Sequence, residues 1–215
     1  MVEYRAKRKY QNSAYAAGYD RIRYGGISGY IKNRYTLAAI DKVLREIKEG
    51  GLILDVPCGT GRLIPLFAGR SFKWLGADIS FEMMEVARRR SEGLKNRMGN
   101  VRLDSEHMPF KPESFDCVAS IRFIYHVPTG DGRVAMLREM ARVSKKWVII
   151  DYNYPNRIRS LFRRAGYPFR SPKKKRRLSI SEIYGELEKA DLKVYRTVLV
   201  SRIFSDSIIL LCSRS

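Results

Sequence analysis

The chain has 215 residues, 45% of them hydrophobic, and a formal net charge of +20. That length suits one α/β domain with modest additions, and that apolar fraction excludes wholesale disorder. The charge points to an anionic partner, such as RNA or an acidic membrane surface, with a solvated basic surface as the plain alternative. Residues 1–30 are rich in Tyr, Arg, Lys and Gly. Residues 31–49 then carry apolar side chains at helical spacing, up to a stop at Gly50-Gly51. Residues 52–56 read as a buried strand. A helix follows over 62–68, with Pro65 tolerated in its first turn. A strand over 72–79 leads to Ser80, a suitable cap for a helix over 81–90 with Glu82 and Glu85 in its early turns. Strands are expected at 100–103, 115–121 and 146–152. Helices are expected at 133–143, entered through Gly130, and at 181–190, with Ser179 as a cap. The last two strands, 192–200 and 205–212, lie too close for a crossover helix. A short turn around 203–206 makes them antiparallel.

This alternation predicts an α/β fold: a doubly wound, seven-stranded, mostly parallel sheet with an antiparallel C-terminal strand pair. One domain is expected, with an N-terminal helical cap (1–49), a ligand-binding core (50–152), a basic lid (153–180) and a C-terminal helix and strand pair (181–215). No apolar run of about eighteen residues is present, and no signal-peptide core follows the first residues, so a cytoplasmic location is expected. Cys58, Cys117 and Cys212 are widely separated, and the histidines are only His107 and His126. Reduced, mostly buried thiols and no metal site are expected.

The segment 52–62, Leu-Ile-Leu-Asp-Val-Pro-Cys-Gly-Thr-Gly-Arg, runs from an apolar strand through Gly-x-Gly into a helix. Such a turn lets a ligand approach the backbone at the carboxyl edge of a sheet. No P-loop run is present, and Ile64 stands where a dinucleotide fingerprint has its third small residue. Asp55 would repel a pyrophosphate but suits a cationic ligand. Asp78, at the end of the second strand, can accept from two ribose hydroxyls.

The segment 52–62 resembles motif I of the class I S-adenosylmethionine (SAM)-dependent methyltransferases. The run 76–84, Gly-Ala-Asp-Ile-Ser-Phe-Glu-Met-Met, resembles their motif II. The run 101–110 resembles the Asp-Ala-Glu-x-Leu-Pro-Phe element of the ubiquinone/menaquinone-biosynthesis type. Segments 115–118, 121–127 and 137–143 resemble the family's fourth strand and the helix after it. The resemblance covers about residues 50–152 and implies a Rossmann-like fold with SAM as cofactor. It implies that Asp55 and the backbone of Cys58, Gly59, Thr60 and Gly61 hold the methionine end and that Asp78 holds the ribose. Ile79 and Met83 would pack on the adenine or ribose, and Asp104 and Ser105 would face the adenine. Ile121 and Arg122 would line the site below the sulfonium. Arg122 is a cation near a cationic cofactor, so reaching an acidic substrate or pairing with a nearby Asp is its alternative role.

Methyl transfer needs alignment of an acceptor lone pair, and a base only where the acceptor is protonated. His126 is the best-placed candidate base, with a structural hydrogen-bonding role as its alternative. The Asn/Asp-Pro-Pro-Tyr/Phe signature of adenine methylation is absent after the fourth strand. No cysteine is placed as a nucleophile for cytosine methylation. A small-molecule or lipid acceptor is therefore expected. The alternative is RNA, reached through the basic N-terminal segment and the basic, aromatic-bearing run 156–177, which also suits peripheral contact with an anionic membrane. A non-catalytic SAM-binding or interaction module is the third reading. The N-terminal segment, with Tyr4, Tyr10, Tyr15, Tyr19, Arg21, Arg23 and Tyr24, is expected to pack over the pocket mouth.

Overall fold

The computed structural model describes residues 12–154, 177–203 and 205–214. Two helices, α1 (Ser13–Tyr24) and α2 (Ile27–Leu44), precede an alternating core. The core runs β1 (Leu52–Asp55), α3 (Ile64–Gly69), β2 (Lys73–Asp78), α4 (Phe81–Arg90), β3 (Arg97–Arg102), β4 (Phe115–Ser120), α5 (Gly130–Val143) and β5 (Ser144–Asn153). The chain closes with α6 (Ile180–Glu188), β6 (Leu192–Leu199) and β7 (Ser207–Arg214). The seven strands form one sheet in the order β3-β2-β1-β4-β5-β7-β6. Neighbours from β3 to β5 are parallel, and β7 is antiparallel to both β5 and β6. The expected fold class is observed. The antiparallel strand, however, is not the last of the sheet: β7 inserts between β5 and β6, and β6 forms the edge.

Side-chain alternation splits the core between the two faces of the sheet. Leu54, Val118, Val148, Ile150, Ile208 and Leu210 point to one face, where Leu137 and Met140 of α5 and Ile183 and Leu187 of α6 cover them. Ile53, Cys117, Ala119, Ile149, Ile209 and Leu211 point to the other, under Ile40 and Val43 of α2, Phe67 of α3 and Ala87 of α4. The central strands bury both faces, so they read as continuous apolar runs. The edges β3 and β6 are only partly buried and carry Arg97, Arg102, Lys193 and Arg196, which suit strands with one open side.

The caps explain several boundaries. Ser80 accepts from the Met83 amide and starts α4 where expected. Ser179 and Glu182 form a reciprocal capping box at the start of α6. Thr129 caps α5, which therefore begins at Gly130, three residues before the expected start. The N-terminal expectation needs correction. The helix placed at 31–49 begins at Ile27 and ends at Leu44, and Gly25-Gly26 separates it from α1. Its last turn loosens before Gly50, with the Glu46 and Ile47 amides bonding only three residues back. The basic run 156–177 lies outside the described residues except for Arg177, which pairs with Asp206 at 2.7 Å. Residues 1–11 also lie outside them. All three cysteines are free and buried. No described helix is long and apolar enough to cross a membrane.

Candidate active site

The strand order reverses between β1 and β4, and in open α/β sheets ligands bind beyond the carboxyl ends of the strands at such a switch. A cleft of about 1050 Å³, counting its open mouth, lies there. Of the residues singled out from the sequence, Asp55, Cys58, Gly59, Thr60, Asp78, Ile79, Met83, Asp104, Ser105, Ile121, Arg122 and His126 all line it. Tyr19 and Tyr24 of α1 line its mouth as expected. Gly61 alone among the expected residues is not on the wall. It is tightly packed: an added Cβ would stand 2.5 Å from Ile64 Cδ1 and 3.0 Å from Ala87 Cβ, at a φ of +73°. Gly61→Ala is expected to cost about 2 kcal/mol through overpacking and left-handed backbone strain, read as a lowered denaturation midpoint.

The loop after β1 is held from below by backbone. The Cys58 amide donates to Ala77 O at 2.8 Å, and the Gly59 amide to Asp78 Oδ2 at 2.9 Å. Asp78 Oδ1 accepts from the Ser80 amide, also at 2.9 Å. One carboxylate thus fixes both the glycine loop and the start of α4, and each oxygen keeps a lone pair for a ligand hydroxyl. Burial pushes the Asp78 carboxyl up, against the downward pull of the Ser80, Gly59 and Ile79 amides.

Asp55 differs. It is 2% exposed, and no hydrogen-bond donor or ion-pair partner reaches its carboxyl among the described residues. Burial pushes its pKa up to about 8, only partly opposed by the charge of Arg62. A buried acid without a donor, at a cavity wall, fits a cationic ligand group. Gly59, at φ +54°, adds open space, since no atom lies within 4 Å of where its Cβ would stand. Asp104 sits at a bridge to His107 and accepts from the Glu106 amide at 3.2 Å. Cys58 is inert as a nucleophile, because burial pushes its thiol well up. The residues present therefore fit SAM: an unpaired acid for its ammonium, a strand-end acid for its ribose, and a further acid beside apolar Ile79 and Met83 for its adenine.

Helix α1 is tied down over this loop. Thr60 Oγ1 donates to Asp20 Oδ1 at 2.9 Å, and Asp20 also pairs with Arg90 of α4. Arg62 Nη1 donates to Asn33 Oδ1 of α2 at 2.7 Å and lies 5.4 Å from the Tyr24 ring centroid. Sequence reasoning missed Asp20, Asn33 and Phe123, since single polar or apolar side chains on helices and turns carry no motif. His126 ends a short 3-10 turn (Ile124–His126), its ring 4.8 Å from that of Tyr125.

Comparison with known proteins follows this geometry. Residues 53–146 match a family model described as "Methyltransferase domain". The chain is 37% identical over 101 residues to "Methyltransferase GfsG" of Streptomyces halstedii, covering 46% of this chain and 35% of that protein. It is 34% identical over 104 residues to the "Probable tRNA methyltransferase 9B" of Bos taurus, covering 48% of this chain and 21% of that one. A longer match, 27% over 191 residues, covers 84% of this chain and 68% of the "Ubiquinone/menaquinone biosynthesis C-methyltransferase UbiE" of Pseudomonas paraeruginosa. Among solved structures, magnesium protoporphyrin IX methyltransferase from Synechocystis PCC 6803 with bound SAH superimposes with a TM-score of 0.75 at 20% identity, over 98% of each chain. That likeness shows the fold. The chain thus spans about a third or less of the first curated relatives it matches.

Proposed function

We propose that the chain is a SAM-dependent methyltransferase of the class I type that transfers a methyl group from SAM to a small-molecule or lipid acceptor. The observation that carries this reading is the lining of the cleft. Tyr19 and Tyr24 line the same cleft as Asp55, Asp78 and His126, so an acceptor meets the donor beside the tyrosines of α1. SAM supplies a methyl group made electrophilic by the positive sulfur. The protein's part is to hold and align. Asp55 would accept from the ammonium, Asp78 from the ribose hydroxyls and Asp104 from the adenine amine, and Ile79 and Met83 would cover the ring. His126 is the wall group able to take a proton from a hydroxyl acceptor.

Asp55 makes this reading testable through pH. Its folded-state pKa, about 8, lies above its ordinary value of 3.8. Between those values the folded protein holds a proton that the unfolded chain lacks, so the unliganded fold loses stability as pH rises through that window. A cation seated on Asp55 expels the proton. SAM binding at pH 7 is therefore expected to release about one proton. Calorimetric enthalpies measured in two buffers of different ionisation enthalpy check this, and the buffer dependence is expected to vanish in Asp55→Asn.

The net charge of +20 favours a second reading, an RNA acceptor, and proteins named as tRNA methyltransferases are among the relatives. Methyl-labelled SAM mixed with the protein and with RNA, lipid and metabolite fractions separates the readings. Label in the lipid or metabolite fraction is expected. Label in RNA alone, with salt-sensitive RNA binding, would replace the first reading by the second.

A further inference from the structure

The cleft wall carries charges of both signs. Asp55, Asp78 and Asp104 lie at the ends of β1 and β2 and in the loop after β3, and they suit a cationic cofactor. Arg62 lines the cleft on the Asp55 side, and Arg122 stands apart from these groups just past the end of β4. The Arg122 side chain lines the cleft, and its Nη1 donates to the Tyr24 hydroxyl at 2.8 Å. Tyr125 lies beside the same guanidinium, and the Tyr24 ring centroid is 5.4 Å from the guanidinium carbon. No carboxylate pairs with the guanidinium among the described residues; Asp151, nearby, takes the Arg122 backbone amide instead, at 2.6 Å. A largely buried guanidinium cannot lose its proton, and phenol hydroxyls do not neutralise it.

The backbone supports a special role. Arg122 has a φ of +68°, a left-handed conformation unfavourable for a side chain of this kind. Strain of this sort persists where surrounding structure holds it, commonly at functional sites. The buried Asp151 carboxylate supplies that hold.

We propose that Arg122, together with the hydroxyl of Tyr24, forms a subsite for a carboxylate carried by the methyl acceptor. This rests on the methyl-transfer reading above and narrows its substrate class. A guanidinium presents a planar fork that matches a carboxylate in two parallel hydrogen bonds. The Tyr24 hydroxyl, having accepted from Arg122, keeps its own proton to donate to the anion. One guanidinium balances one negative charge, which favours a monoanionic carboxylate over a phosphate dianion. The other wall arginine, Arg62, is bonded to Asn33 and faces the Asp55 side. Phe123 and the two wall tyrosines give the subsite an aromatic surround, suited to a flat apolar body behind the carboxylate.

The test uses the full chain loaded with S-adenosylhomocysteine (SAH) and two probes of one shape, benzoate and neutral benzamide, titrated by calorimetry. The wild type is expected to bind benzoate at least about tenfold more tightly than benzamide. Arg122→Gln is expected to lower benzoate to the benzamide level while SAH affinity stays within about threefold. Tyr24→Phe, which keeps the ring and removes the hydroxyl, is expected to weaken benzoate selectively. SAH binding with no preference for benzoate overturns the subsite alone, as does a preference that survives Arg122→Gln. An Arg122→Gln protein that loses SAH in step with benzoate returns Arg122 to the cofactor. Failure of the wild type to bind SAH overturns the methyl-transfer reading, and the subsite with it.

Discussion

Replacing Asp78 with alanine is expected to weaken SAM binding by about 100-fold or more. Hydrogen bonds to a charged group contribute about 1.5–3 kcal/mol each, and two ribose hydroxyls on one carboxylate make about 3 kcal/mol a lower expectation. The same substitution removes the acceptor for the Gly59 and Ser80 amides, each 2.9 Å away, so the glycine loop also loses its fixed position. The two effects can be separated. Asp78→Asn keeps one acceptor oxygen and a similar shape, and an intermediate affinity is expected. Calorimetric titration of both variants, with folding checked by circular dichroism, gives the measurement. An Asp78→Ala protein that is less stable but binds SAM with wild-type affinity would leave Asp78 a loop anchor and nothing more.

The second large effect lies away from the cleft mouth. Arg133 of α5 has a side chain only 2% exposed and is paired with Glu186 of α6. Its Nε lies 3.0 and 3.1 Å from the two Glu186 carboxylate oxygens, and its Nη1 donates to Val127 O at 3.1 Å. Tyr152 of β5 donates to the same carboxylate at 3.2 Å. Glu186→Ala strands a guanidinium in the core, and breaking such a buried pair typically costs about 3–5 kcal/mol. For a chain of this size that is a fall in Tm of about 6–20 °C. Replacing both partners, Arg133→Met with Glu186→Leu, is expected to recover most of the loss, because no buried charge is then left unpaired. Thermal denaturation of the single and double variants checks both expectations. A single variant within a degree of wild type would show that the pair adds nothing to stability.

The parts of the fold legible in the sequence were those with a strong local cause. The buried strands are apolar runs, α4 starts at the serine that caps it, and α6 starts at the Ser179 box. The insertion of β7 was not anticipated, although a signal for it exists. Ile208–Cys212 is apolar on both faces, as a central strand must be, whereas β6 is largely exposed and carries Lys193 and Arg196, as an edge does. The start of α2 at Ile27 was missed because its first turn is exposed and carries no side-chain cap. In the cleft, the glycine loop and strand-end acids were legible because backbone approach and charge demand those residue types. Gly61 is also tightly packed against α4, because close helix packing and close ligand approach ask for the same residue. The latch of α1 through Asp20, and the left-handed backbone of Arg122, arise from tertiary contacts with no local pattern.

Calorimetric titration of the wild-type protein with SAM measures the whole site at once. One saturable site per chain is expected, competed for only by SAM-like ligands, with release at pH 7 of about one proton from Asp55. No saturable SAM binding, or equal binding of a dinucleotide at the same site, would contradict that expectation.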